Sequence, residues 1–295
     1  MMIRIAFLIS LLQLSAAFVS LPRSAFCRKQ QRLLGTPSAE AVTLKNELLS
    51  TIQNLKTLQA QDGDFSIDFG VKGGELNSTS RAPQKVNYYS ISDHVGKAAD
   101  AVMAVCEQLA NVSPTKEPTL HLGDQINGTL CPLNGAWKLL FTTAADASFS
   151  KNSTRGDARA QNVVDGVKGR ITNIIDFCMK DDGTEPVLKQ LNVVIKATAL
   201  SKRRVGLQFQ YVKAHLTKFF FIPIKWTLYI PVPAAFITRC IVFFSRVFKG
   251  QAKAVPQAYF DVLYLDKDLR IHKTGEDNLF VQARDTWEGA KGLLE

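Results

Sequence analysis

The chain has few cysteines, few histidines and none of the short motifs that mark common catalytic sites. Five cysteines in 295 residues are too sparse for a disulfide scaffold. The four beyond residue 37 (Cys106, Cys131, Cys178 and Cys240) form no CxxC and no close pair, and they read as mostly buried thiols. The four histidines, His94, His121, His215 and His272, never pair at metal-ligand spacing. No GxSxG elbow, P-loop, GxGxxG or HExxH is present. The expectation is therefore a protein that is not an enzyme and uses neither a metal nor a cofactor. Asp261, Asp266 and Asp268 lie close in sequence, but Asp266-Lys267-Asp268 has the composition of a hairpin turn. There is no RNP-like, KH or zinc-finger pattern, and Arg204 falls on the opposite strand face from the neighbouring aromatics, which argues against nucleic acid.

Acidic residues are missing from two stretches. Residues 1–37 hold five Lys or Arg and residues 186–260 hold twelve, both without an Asp or Glu, while the rest of the chain is net acidic and the total is +10. The first stretch reads as an address. Arg4 precedes a 13-residue apolar run, Ile5 to Ala17, closed by Ser15-Ala16-Ala17. A positive start, a short apolar run and small residues at its end predict a signal peptide over 1–17, too short to span a bilayer. Residues 18–37 stay basic, Ser-containing and acid-free, as transit peptides do. Glycosylation sequons at Asn77, Asn127 and Asn152 leave secretion as the rival destination.

Beyond residue 37 the apolar period is first helical. Ser38 is suited to cap a helix over about 39–60, whose stripe is Leu44, Leu48, Ile52, Leu55 and Leu58. A Gly-rich insert, 61–87, separates it from a second helix over about 92–110. From Trp137 the period becomes two. Strands are expected near 137–143, 161–168, 170–179, 189–200, 204–211, 219–230, 258–265, 268–273 and 278–284. Many strands without long intervening helices predict a mainly β chain with N-terminal helices (α+β), arranged as an antiparallel barrel or sandwich.

Several blocks carry a resemblance. They are Leu44-Lys-Asn-Glu-Leu-Leu49, Asn111-Val-Ser-Pro-Thr-Lys-Glu-Pro118, Leu133-Asn-Gly-Ala-Trp-Lys-Leu-Leu-Phe-Thr-Thr143, Asn173-Ile-Ile-Asp-Phe177, Phe260 to Ile271, and Asn278-Leu-Phe-Val281. In this order and spacing the chain resembles the plastid lipid-associated protein family, also called PAP/fibrillin. Ser15-Ala-Ala-Phe-Val19 resembles the bipartite plastid presequence of algae with complex plastids. The resemblance implies a lipocalin-like β-barrel over 119–295 after a helical region over 38–118. It implies import into the plastid (chloroplast) through the secretory route, and residence at the thylakoid or plastoglobule. It further implies lipid binding, with a lipid, carotenoid or quinone as the apolar partner. Two rival functions stand beside it: a docking protein for a membrane or an isoprenoid enzyme, which carries nothing, and a barrel enzyme acting on an oxidised lipid or isoprenoid.

The resemblance also assigns site residues. Gly135-Ala136-Trp137 is similar to the lipocalin Gly-x-Trp, and Arg284, or second Arg270, is the arginine expected to pack on the indole at the barrel base. Val205, Leu207, Phe209 and Tyr211 alternate along one predicted strand face, as ligand-cavity lining or as packed core. The stretch 219–238 has one charge, Lys225, but Pro223, Pro231 and Pro233 argue against a spanning helix. In 234–249 a helical projection puts Phe236, Phe243, Phe244 and Phe248 on an apolar face and Arg239, Arg246 and Lys249 on a basic one. Such a segment either lies on an anionic peripheral membrane surface or packs on the barrel.

Overall fold

Two helices precede nine strands in a computed structural model that describes residues 33–63, 85–144, 158–179, 183–218, 225–231 and 258–294. Helix α1 spans Ala39–Asp62; the Ser38 hydroxyl accepts a hydrogen bond from the Ala41 amide at 3.1 Å, and Gly63 ends the helix at φ +106°. Helix α2 spans Asp93–Asn111, with Ser92 accepting from the Val95 amide at 3.1 Å. Each cap satisfies an amide that the helix itself leaves unpaired. Both helices end within two residues of the bounds expected from periodicity, and their apolar stripes share one buried cluster.

The strands are β1 (Gly135–Thr142), β2 (Ala158–Asp165), β3 (Arg170–Phe177), β4 (Leu188–Ala199), β5 (Arg204–Leu216), β6 (Trp226–Pro231), β7 (Ala258–Leu265), β8 (Leu269–Thr274) and β9 (Leu279–Ala283). All pairings are antiparallel and join them in the order β4-β3-β2-β1-β9-β8-β7-β5-β6. Because β4 also pairs β5, eight of the nine strands form a closed cycle of pairings. β6 lies outside the cycle and is paired with β5.

The two faces of this sheet bury different partners. Leu269 and Ile271 of β8, and Leu279, Val281 and Ala283 of β9, pack with α1 and α2. On the inner face, turned away from the helices, Trp137, Val164, Ile171, Ile195, Val205 and Phe260 form a second cluster from β1, β2, β3, β4, β5 and β7. A buried ion triad fixes the helices to the strands. Lys45 of α1 places its Nζ 2.7 Å from Asp266 and 3.0 Å from Asp268, in the turn between β7 and β8. Asp266 accepts there from the Asp268 and Leu269 amides, both at 2.7 Å, and from the Tyr264 hydroxyl at 2.7 Å. The turn chemistry expected of Asp266-Lys267-Asp268 is thus combined with a tertiary anchor.

β5 is longer than the alternation over 204–211 suggested. Its first part, 204–207, pairs β7, and its last part, 211–216, pairs β6 on the same edge. β6 and β7 are therefore two halves of one partner line along β5, and the chain leaves that line at Pro231 and rejoins it at Ala258. The expected amphipathic segment 234–249, with Phe236, Arg239, Phe243, Phe244, Arg246, Phe248 and Lys249, lies outside the described residues, as do residues 1–32 and 64–84. Among the described residues, no helix is long and apolar enough to cross a membrane, and no group of His, Cys, Asp or Glu is placed to hold a metal ion.

Candidate functional site

One end of the inner face is organised around Trp137. The indole is fully buried, and its Nε1 donates to the Leu133 carbonyl at 2.9 Å. Arg284, immediately after β9, holds its guanidinium carbon 4.1 Å from an indole ring centroid, and Arg270 of β8 approaches to 5.1 Å. Arg284 also donates to the Asn134 carbonyl at 2.8 Å. Gly135 is required at the mouth of this arrangement. Its φ is +121°, and a Cβ there would sit 2.2 Å from Nη1 of Arg284. The four residues expected at the barrel base therefore meet in space.

A polar layer borders this stack. Arg270 is completely buried. It faces Gln282 across β8–β9, and its Nε donates to the Gln282 Oε1 at 2.9 Å. Its Nη2 donates to both Gln282 and Asn162, and the Asn162 amide donates in turn to Asn173. Among the described residues, Nη1 of Arg270 is buried without a hydrogen-bond partner. Among the described residues no carboxylate pairs with this guanidinium. Burial, reinforced by the charge of Arg284, pushes its pKa down to about 9.

His272 follows two residues along β8 and shares that face. Its ring centroid lies 4.6 Å from that of Phe260 and 5.0 Å from that of Phe280, nearly parallel to the latter at 3°. Burial, and secondarily the charge of Arg270, pulls its pKa well below the usual imidazole value, so the ring is neutral at physiological pH. Its Nδ1 is likewise buried and unpartnered among the described residues.

The four residues expected to line a cavity separate into two groups. Val205 is buried in the inner cluster, Leu207 packs against it, and Phe209, opposite Ile195, is 40% exposed. Tyr211 is on the other face. The register of β4 against β5 slips between Val194 and Ile195, which pair with Tyr211 and Phe209 respectively, so Gln210 is an extra residue. Such a bulge reverses the alternation beyond it. Val212, opposite Val193, thus continues the inner face, while Tyr211 turns outward to a ring 6.2 Å away on Tyr229.

Sequence reasoning missed His272, Gln282, Asn162 and Asn173 as site residues. The signal available is the alternation Leu269-Arg-Ile-His272, in which Arg270 is expected at the barrel base and His272 shares its face.

The PAP_fibrillin family model matches residues 92–283, from the start of α2 to the end of β9. The chain belongs to the PAP_fibrillin family. The match takes in Trp137, Arg270, His272 and Gln282, so the polar layer lies within the family's own segment. Membership points to a plastid lipid-associated protein, in a family that is generally structural and not catalytic. Comparison with curated proteins and with solved structures finds no match.

Proposed function

We propose that this PAP_fibrillin protein carries an apolar small molecule, a lipid, carotenoid or quinone, at the thylakoid or plastoglobule membrane. In this reading the cycle of eight strands closes as a lipocalin-like barrel over 119–295, with the inner face toward the ligand. The observation that carries it is an apolar inner face that remains accessible along β5 and β6. Phe209 is 40% exposed, and Trp226, Leu228 and Ile230, which face Leu216, Ala214 and Val212 across the ladder, are 39–47% exposed. Large side chains of this kind are normally buried, and an accessible row of them marks a binding surface. Removing apolar ligand surface from water contributes roughly 25 cal/mol per Å².

The polar layer is the feature that would favour an enzyme. Its composition favours binding instead: among the described residues it holds a guanidinium, three amides and a neutral imidazole, and no carboxylate or thiol. Membrane contact is assigned to the basic stretch that includes 234–249, next in sequence to the exposed β6.

The test is flotation of the full chain with liposomes of anionic plastid lipids, followed by mass spectrometry of lipids extracted from the purified protein. Flotation together with a stoichiometric co-purified apolar molecule is the expected result. A protein that neither floats nor yields an extractable ligand refutes the proposal.

A further inference from the structure

The polar layer does more than stack Arg270 on Trp137. On β8 and β9 the apolar residues Leu269, Ile271 and Val281 face the helices, and the alternate positions Arg270, His272 and Gln282 face inward. A buried guanidinium without a counter-charge is costly, and each buried donor or acceptor left unpaired adds to that cost. Arg270 nonetheless has its Nε and Nη2 held by Gln282 and Asn162, which fixes the guanidinium and leaves Nη1 without an acceptor among the described residues. His272 supplies a second unpartnered nitrogen on the same face, clamped between Phe260 and Phe280. Two buried and unused polar atoms, two positions apart on the same strand face, define a preorganised site.

The surroundings specify what enters it. From Asn162, which accepts a hydrogen bond from Arg270, a ladder row continues across the sheet through Asn173, Val193, Val212 and Ile230, each opposite the next. The row passes from polar to apolar and from half-buried to the exposed Ile230. A polar, cationic end joined to a lengthening apolar surface is the complement of an amphiphile with a negative head.

We propose that Arg270 and His272 bind the carboxylate of an apolar-chain acid whose tail lies along Val193, Val212 and Phe209. One carboxylate oxygen accepts from Nη1 of Arg270, the other from Nδ1–H of the neutral His272. This deepens the carrier function proposed above and rests on it. The carboxylate supplies the missing counter-charge, and a charge-assisted bond in a water-poor site is stronger than a neutral one. Neutral carotenoids and quinones lack that group.

The experiment is displacement of the neutral fluorescent probe N-phenyl-1-naphthylamine from the full chain by palmitic acid and by its methyl ester, repeated with Arg270→Met. The acid is expected to displace the probe about 10- to 100-fold more strongly than the ester in the native protein. Arg270→Met should reduce the two to within about threefold of each other. Equal displacement by acid and ester in the native protein, or a preference that survives Arg270→Met, overturns the carboxylate assignment while leaving the carrier function intact. A probe that does not bind at all overturns both. A second measurement needs only the native protein: the carboxyl resonance of bound 1-13C-palmitic acid. The guanidinium should lower the titration midpoint by at least about one pH unit relative to the same acid in neutral detergent. An unchanged or raised midpoint refutes contact with Arg270.

Discussion

Replacing Lys45 by Met removes one charge from a buried triad and keeps most of the aliphatic stem. The side chains of Lys45, Asp266 and Asp268 are only 7%, 0% and 11% exposed. Their ion pairs at 2.7 and 3.0 Å are therefore poorly screened by solvent. The Trp287 ring lies 4.6 Å from the ammonium and adds a cation–π contact. Removing one partner of such a pair leaves carboxylate charge buried beside an apolar residue, at a cost of about 3–5 kcal/mol. At about 2–4 °C per kcal/mol, the midpoint should fall by about 6–20 °C. The assay is thermal and urea unfolding followed by circular dichroism. Lys267→Met serves as the control, because that lysine is 63% exposed and its contact with Asp268 should be worth under about 1 kcal/mol. Lys45→Met combined with Asp266→Asn should recover part of the loss, since the amide removes the unpaired charge. A loss under about 1 kcal/mol for Lys45→Met, or no recovery in the double variant, refutes the claim that this triad holds α1 on the β7–β8 turn.

Three further outcomes are expected. Gly135→Ala should cost about 1–3 kcal/mol, because φ is +121° and the new Cβ meets Arg284, and it should change the tryptophan fluorescence as that guanidinium leaves Trp137; an unchanged spectrum and midpoint count against the stack. His272 is held neutral by burial and by the neighbouring charge of Arg270, so the unfolded chain takes up a proton below pH 6.5 that the native state does not. Stability is then full above about pH 6.5 and falls by up to about 1.4 kcal/mol per unit as the pH drops toward the lowered native pKa. Urea unfolding between pH 5 and 8 should show this slope reduced in His272→Gln, and parallel curves for the two proteins refute it. Phe209→Ala should weaken binding of a neutral apolar probe about fivefold, equivalent to about 1 kcal/mol of lost burial, and Tyr211→Ala should leave it unchanged; equal effects would contradict the reversal of faces at Gln210.

The helices and strands were legible because their local signals agree with the tertiary structure. Ser38 and Ser92 cap the helices at the positions their chemistry suggests, and each of the nine strands overlaps a stretch expected from the change of period at Trp137. Tyr211 was misplaced for a physical reason. A bulge inserts a residue without any change of residue type, so Val205-Gly-Leu-Gln-Phe-Gln-Tyr211 looks like an unbroken alternation. Lys45 was hidden for a different reason. It sits beside Leu44 on the helix stripe, and its partners come from a turn more than 200 residues away. Nothing in the helix itself distinguishes it from a solvated lysine.

The polar layer was illegible because alternation identifies two faces and not which of them is inside. In a half-buried strand the polar face is normally the wet one. Here α1 and α2 cover the outer face of β8 and β9, so Leu269, Ile271 and Val281 are buried there and the inward positions are released from the requirement to be apolar. Arg270, His272 and Gln282 occupy those released positions. Packing alone would accept leucine or valine at each of them, and a row of three polar residues avoids that simpler solution at a cost in desolvation. The same covering that makes the strands stable from outside is what leaves the inside free to specialise. The contact with Trp137 accounts for part of Arg270 only, and the proposed recognition of a ligand head accounts for its unused Nη1 and for His272 together.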